Sequence, residues 1–569
     1  MKIRCLIVHV PRFPFMLSHL MPPHGLAEIA GSLINGGHEC QILDYGNLDS
    51  VRFFASAEML AQVKMAGNWW EHKSSNNVLT RLIHPNRSRL EKEIQSCRTQ
   101  WYDSICDDIN RNGTSDILFF HAEDRAGWLG IRAVSSMLRK RGNTAPMFVF
   151  GRYAEKYAAF LLDGNIPFDG MCVEDADEVL LELTACAAHP EFWRHIPNLV
   201  LWHYGTRKVN QRKRMLSQQT HAADAYRTSV YPSFTSNQKI LLPTFCHARG
   251  GDTLTHALPE SYWYRRNPII TRASLLAEQI GRLATKEKYL NYYIQGAGAQ
   301  GQDIDDLASA LLMLQLPIQY GRDVSIPGIT SCTMDKVFTS GCRAMAMRVA
   351  SGSQRLLEDF FGCSFGVSEA ETALHAASSI SGIHKSLEII YPTPFDDFHS
   401  VEETIRFVRR TNPNSVWVTL PQVLPGSSWW RSANTFGFNI SPQHLEHWVT
   451  TGDNSLMYNE NSLHHHYNMC GRRKAKSAKL CEDINNALDV LGLGGVTVFP
   501  RDALVAQALG YVGNESDFCA LAQHAICSLD IDRLEMILNN FNTNTIDNSI
   551  PDTIHQISSR ISHWAVVGN

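Results

Sequence analysis

What most constrains this chain is an alternation of two periodicities repeated along most of its length. KIRCLIVHV (2–10) is an apolar, β-branched run. GLAEIAGSLINGGHE (25–39) then places apolar residues at helical spacing until Gly36 and Gly37 stop it. CQILDY (40–45) reads as a second strand. A polar, helix-prone insertion follows from about 50 to 112, and DILFFHAE, the helix WLGIRAVSSMLRKRG, and the strands MFVFGRY and FDGMCVED resume the pattern. Strands alternating with helices predict a parallel sheet covered on both faces.

The polar passage 188–238 reads as a linker. Beyond it ILLPTFC, TRASLLAEQIGRLATKE, YYIQGAGAQGQD, DIDDLASALLMLQL, PIQYGRD and MDKVFTSGCRAMAMRV repeat the alternation, so 239–430 is expected to be a second layered or barrel domain. Residues 431–569 are helical in pattern, as in KSAKLCEDINNALDVLGLGG.

With 569 residues, 44% of them hydrophobic, the chain can bury the cores of roughly three or four domains. A net charge of -4 gives no global field for nucleic acid or an anionic membrane, and RRKAKSAK (472–479) reads as a solvated helix face. The N-terminal apolar run is too short for a signal peptide, and no stretch has transmembrane length. The 14 cysteines form no C-x2-C pair, so a cytoplasmic protein with reduced thiols is expected.

Within the first block, PPHGLAEIAGSL, GGHECQILD, DILFF, MFVFG and a strand ending in an acidic cluster come in an order that resembles the cobalamin-binding domain of many radical S-adenosylmethionine (SAM) enzymes. That resemblance implies a flavodoxin-like α/β domain over residues 1–187, with cofactor contacts from Pro23, His24, Gly25, Gly151, Arg152 and Glu174. Where the family carries a Gly-Gly pair this chain has Gly151 and Arg152, and its acidic element reads EDAD (174–177). Arginine adds volume and charge where glycine lets a bulky ligand approach the backbone. No D-x-H-x-x-G segment is present, so the resemblance implies no protein histidine on the lower face of cobalt.

The second block resembles the radical SAM partial barrel. DKVFTSGCRAMAMRVASGSQRLLEDF (335–360) is similar to the family's passage into a G-x-E-S-G-S turn, and SLEIIYPTPFDD through the turn of Leu424, Pro425 and Gly426 matches the next units. On this resemblance Ser351, Gly352, Ser353 and Arg322 are cofactor-binding candidates, Arg348 replaces a glycine and Ala350 a glutamate. After the first barrel strand the family carries C-x3-C-x2-C, whose thiolates hold a [4Fe-4S] cluster. Here the aligned residues are Cys246, Gly250 and Thr253. Neither glycine nor threonine offers a thiolate, so no [4Fe-4S] cluster and no resident metal are expected.

Cys246, Arg249 and Asp252 in this loop are the catalytic candidates, Arg249 to hold a carboxylate and Asp252 an amine. Polar-loop residues with no such role are the alternative, as they are for His247, His256 and the run His464, His465 and His466. Tyr262, Trp263, Tyr264, Trp429 and Trp430 fit either an aromatic wall at the barrel mouth or core packing. Cys332, Cys342 and Cys363 read as buried thiols. Two functions fit these residues. One is a cobalamin enzyme of specialised metabolism making a polar methyl transfer from SAM to a small-molecule substrate. The other is a non-catalytic family member that binds a substrate, a cofactor or a partner enzyme.

Overall fold

Alternate residues of the first strands enter two different cores, which is why those strands are apolar without interruption. In β1 (Arg4–His9), Cys5 and Ile7 pack on one face of the sheet while Leu6 and Val8 pack on the other. β3 (Ile117–His121) and β4 (Met147–Phe150) divide in the same way. The computed structural model describes residues 2–13, 15–66, 87–113, 115–161, 166–203, 206–211, 213, 221–251, 254–258, 268–450, 467–469, 471–472, 474–490, 492 and 497–547.

With β2 (Glu39–Asp44) and β5 (Gly170–Cys172) these strands make a parallel sheet in the order 2-1-3-4-5, the flavodoxin-like arrangement. Helices α1 (Leu26–Asn35), α2 (Leu48–Phe54), α3 (Ala57–Ala66), α4 (Arg87–Arg111), α5 (Arg125–Lys140), α6 (Arg152–Leu161) and α7 (Ala176–Ala185) accompany it, α2 to α4 lying in the insertion. Gly36 caps α1 and Gly37 turns the chain at φ 86°. The passage 188–238 is not simply a linker, because β6 (Leu199–His203) and β7 (Thr206–Val209) continue the sheet as an antiparallel hairpin. LVLWH is apolar enough to cover the sheet edge, which the polar residues around it concealed.

The second sheet is wholly parallel and runs in chain order from β8 (Thr244–Cys246) through β11 (Asn291–Gln295), β12 (Gln319–Val324), β13 (Cys342–Ala350) and β14 (His384–Ile390) to β15 (Ser415–Thr419). Between them run α8 (Ala273–Lys286), α9 (Gly301–Leu314), α10 (Ser331–Thr339), α11 (Val367–Ser378) and α12 (Phe398–Thr411). Six strands in strict βα succession form a partial (β/α) barrel. A short hairpin, β9 (Ala248–Arg249) with β10 (Ile269–Ile270), follows the first strand.

The C-terminal region contains α13 (Pro442–Thr450), α14 (Lys474–Val490), α15 (Pro500–Ala508), α16 (Glu515–Ser528) and α17 (Ile531–Thr545). It is not helical alone: β16 (Phe438–Ile440) and β17 (Tyr467–Met469) pair antiparallel. Helix α15 packs onto the open side of the barrel, where Ala503, Leu504 and Val505 share a core with Tyr293 and Ala344. The hydroxyls of Ser386 and Ser415 donate to Val498 O at 2.8 and 3.0 Å, tying the segment before α15 to β14 and β15. Asn542 in α17 accepts from Leu241 N at 2.8 Å and donates to Lys239 O at 2.8 Å, fastening the entry to the first barrel strand. Among the described residues no helix is long and apolar enough to cross a membrane.

The two halves are also joined through a buried ion pair. Lys239 Nζ lies 2.6 Å from Asp44 Oδ2, both side chains having no exposed surface, and Tyr231 Oη donates to the same carboxylate. The ammonium also donates to Gly46 O and, at 3.2 Å, to His19 O. Burial opposes ionisation of Asp44, but Lys239 and His9 more than offset it and hold its carboxyl below the usual range.

Candidate active site

The strand order of the first sheet reverses between β1 and β3, which opens a crevice beyond their C-terminal ends. Both strands end in histidine. His9 Nδ1 lies 3.1 Å from His121 Nδ1, His121 Nε2 lies 3.4 Å from Glu123 Oε2, and Glu123 Oε1 lies 3.7 Å from Arg152 Nε. Burial opposes the charge of Glu123, but Arg152 and then His121 hold its carboxyl well below the usual range. Burial lowers His9 to about 4, leaving it neutral near pH 7.

The C-terminal edge of this sheet meets the mouth of the barrel. Arg249, following β8, donates from Nη1 to Asp177 Oδ1 at 2.8 Å and pairs through Nη2 with Oδ2 at 2.7 Å, so the loop after the first barrel strand grips the start of α7. Burial opposes the guanidinium charge, and Asp177 outweighs it. Cys246 N donates to Glu28 Oε1 in the first turn of α1 at 3.3 Å. Further round, Lys156 Nζ donates to Gln422 Oε1 at 3.0 Å and Tyr153 Oη to Val449 O at 3.4 Å, closing α6 onto the far side. The two sets of strand ends therefore meet across one interface.

Pro22–Gly25 lies at that interface, against the barrel strand of Tyr293 and helix α15. Arg501 donates to Pro22 O at 2.8 Å, its guanidinium lies 5.8 Å from the Tyr293 ring centroid, and the His24 and Tyr293 rings are 5.8 Å apart. Burial, reinforced by Arg501, pushes His24 down to about 3, and its buried Nδ1 has no partner among the described residues. Gly25 caps α1 at φ 77°, and a Cβ there would meet nothing within 4 Å. Gly151 is the opposite case: at φ 105°, a Cβ would lie 2.7 Å from Ala122 O and 2.8 Å from His121 Cδ2. An open left-handed glycine on a helix N-terminus beside an unpartnered imidazole fits a bulky polar ligand such as a corrinoid.

On the barrel side, Asp323 accepts from Tyr293 Oη at 2.6 Å and from Gly296 N at 3.1 Å. Arg348 Nε pairs with Glu388 Oε2 at 2.5 Å, and Thr419 donates to Glu388 Oε1 at 3.2 Å. A register shift between Arg348 and Ala350 marks a bulge, with Ala350 in the left-handed region at φ 72°. A Cβ makes that conformation costly, so Ala350→Gly is expected to raise the unfolding free energy by up to about 1 kcal/mol in a denaturant titration. A loss of stability would show that the surroundings require the alanine methyl.

Several expected site residues are committed elsewhere. Cys246 donates to Ala248 O at 3.4 Å, and burial, partly offset by Arg249, pushes its thiol up to about 11. Arg249 does hold a carboxylate, but it is that of Asp177. Asp252, Thr253, Tyr262, Trp263, Tyr264 and the run His464–His466 lie outside the described residues. Arg322 has no exposed surface: its Nη2 lies 3.3 Å from His247 Nδ1, Nε donates to Asp323 O at 3.2 Å, and its buried Nη1 has no partner among the described residues. Burial, reinforced by Arg322, lowers His247 to about 3.

Ser351 and Ser353 are buried. Ser351 Oγ lies 3.1 Å from Thr404 Oγ1 and accepts from Ser353 N at 3.1 Å, while a Cβ on Gly352 would strike Phe407 and Thr404 of α12. The turn is packed onto a helix. Pro23 is partly buried ahead of α1, and Glu174 is buried and engaged. Trp429 belongs to the core: fully buried, it donates to Phe360 O at 2.9 Å and stacks on the Phe360 ring. Cys342 is buried, Cys363 partly so, and Cys332 is exposed at the start of α10, not core.

The three positions aligned with the family's cluster motif supply one thiolate and not three. Cys246 is the one thiol among the three aligned positions, and Gly250 O comes within 2.1 Å of where a Cβ on Gly298 would stand, so these two loops close on each other through backbone. Among the described residues no group of three or more His, Cys, Asp or Glu side chains is arranged to hold a metal ion.

No protein-family model and no curated sequence matches the chain. Solved structures do. The radical SAM methyltransferase TsrM from Kitasatospora setae, with cobalamin and a [4Fe-4S] cluster bound, superposes at a TM-score of 0.57 with 11% identity over 92% of this chain and 100% of that one. The same enzyme with tryptophan substrate and a SAM analogue gives 0.56 at 10% identity, over 88% of this chain and 90% of that one. The cobalamin-dependent SAM radical enzyme OxsB, with aqua-cobalamin and SAM bound, gives 0.56 at 12% identity, over 99% of this chain and 84% of that one. At such identity the likeness is one of fold, and the chain has the fold of the cobalamin-dependent radical SAM enzymes.

Proposed function

We propose that this chain binds a corrinoid in the chamber between its two sheets and works without a [4Fe-4S] cluster, transferring a methyl or comparable group to a small molecule by polar chemistry. The observation that supports this reading is the meeting of the strand ends of a flavodoxin-like sheet and of a partial barrel, with the open Gly25 and the unpartnered Nδ1 of His24 where they meet. A bound corrinoid would supply a nucleophilic metal centre able to accept a methyl group from SAM, releasing S-adenosylhomocysteine, and to pass it to an acceptor that loses a proton. The chain's own contribution is to hold and orient. Arg501 props the Pro22–Gly25 loop, Arg249 and Asp177 lock the barrel mouth to the first sheet, and neutral His24 offers a hydrogen bond without a charge.

A second reading, a non-catalytic binding protein, is favoured by one observation: Cys246, Arg249, Ser351 and Ser353 are all occupied by internal partners. One experiment separates the two. After reconstitution with hydroxocobalamin and desalting, the protein should retain corrin absorbance. Anaerobic reconstitution should yield neither a full complement of iron and sulfide nor 5′-deoxyadenosine under dithionite. Loss of corrin on desalting would overturn the cofactor assignment, and deoxyadenosine formation would overturn the polar one. Corrin retention with no transfer of label from methyl-labelled SAM to small molecules of a cell extract would favour the binding protein.

A further inference from the structure

We propose that the chamber takes a ligand bearing a carboxylate and that Arg152 is the residue that grips it. This deepens the reading above by naming the ligand class, and it rests on the chamber being the ligand site. Arg152 opens α6 directly after the left-handed Gly151, so its side chain leaves the sheet at the crevice. Its one ion-pair contact among the described residues is from Nε to Glu123 at 3.7 Å, its guanidinium makes no hydrogen bond there, and its side chain is 58% exposed. Glu123, Glu155, Asp323 and Arg348 are the charged groups near it.

The surrounding carboxylates are already engaged. Glu123 is held by His121, Asp323 by Tyr293 and Gly296, and Glu388 by Arg348 and Thr419. The charge of Arg152 is paired through Nε with Glu123 alone, and its two terminal nitrogens make no hydrogen bond among the described residues. A guanidinium held through Nε presents its two terminal nitrogens side by side, the geometry that matches a planar carboxylate. The relay His9–His121–Glu123 then has a role, positioning Arg152 from behind without supplying ligand contacts of its own.

The test uses the full-length protein and small probes, with titration calorimetry and melting temperature as readouts. Malonate is expected to bind saturably and raise the melting temperature, while malonamide of nearly the same shape does neither. Arg152→Gln should weaken malonate about 10- to 100-fold, as loss of a charge-assisted pair does. Arg152→Lys should fall between. Glu123→Gln should weaken malonate while the Arg152 charge remains, the mark of a positioning residue.

No saturable malonate binding, equal affinity in wild type and Arg152→Gln, or inorganic phosphate bound as tightly as malonate would each overturn the proposal. So would loss of corrin retention in Arg152→Gln with malonate binding intact, which would assign Arg152 to the cofactor. Malonate binding by a wild-type protein that never retains corrin would leave this proposal standing and sink the cofactor reading, so the two failures are distinguishable.

Discussion

Replacing Lys239 by methionine is expected to lower the unfolding free energy by about 3–5 kcal/mol, because Asp44 would stay buried without its counter-ion. Denaturant midpoints at pH 7 measure it. Adding Asp44→Asn should recover part of the loss, since the cost lies mostly in the stranded charge. The folded Asp44 carboxyl is held below its ordinary value of 3.8, so its stabilisation is complete above that pH and is lost as pH falls through the folded value. The buried histidines set an earlier limit. Burial lowers His9 from 6.5 to about 4, and His24 and His247 to about 3. The unfolded chain binds protons below pH 6.5 that the folded chain refuses, so stability should decline on acidification from about pH 6.5. A flat stability profile between pH 7 and 5 would contradict the burial of these imidazoles.

Arg249→Ala should cost about 2–4 kcal/mol and, separately, loosen the chamber. Asp177 is nearly buried and loses both its contacts at once, while Arg249 keeps enough exposure to reduce the penalty below that of a fully buried pair. Hydrogen exchange should accelerate in the first turn of α7 and in β8–β9, leaving the far strands β13–β15 unaffected. Arg249→Lys should restore charge but not the bidentate grip, and so recover less than half of the loss. If Arg249→Ala changes neither stability nor exchange, the contact between loop and helix is incidental. Arg249 would then be free to hold a substrate carboxylate, and the malonate titration applied to Arg249→Ala would decide it.

Much of the fold was legible because it is written in local periodicity. The apolar strands KIRCLIVHV, DILFF and MFVF and the glycine stop at Gly36 and Gly37 appear where the spacing puts them, and PPHGL opens the first helix. The hairpin β6–β7 was hidden since its apolar strand lies in a polar passage, and β16–β17 since two three-residue strands carry no periodicity. The site was less legible. Ion pairs such as Asp44–Lys239, Arg249–Asp177 and Arg348–Glu388 join residues distant in sequence, and no local pattern announces a partner. One signal does exist: LIVH and LFFH both end an apolar strand on histidine, at the edge where a parallel sheet opens its crevice.

The contact between Arg501 and the Pro22 carbonyl bears on how the protein is made. During synthesis the first sheet has all five parallel strands once residue 172 has emerged, yet the lip of its own crevice waits for a side chain more than three hundred residues later. Asn542 imposes the same delay on the entry to the barrel. A nascent or prematurely terminated chain can thus carry a folded first sheet while its Pro22–Gly25 loop lacks its prop. The Pro22–Gly25 loop is thus braced by a segment that leaves the ribosome long after the domain that bears the loop.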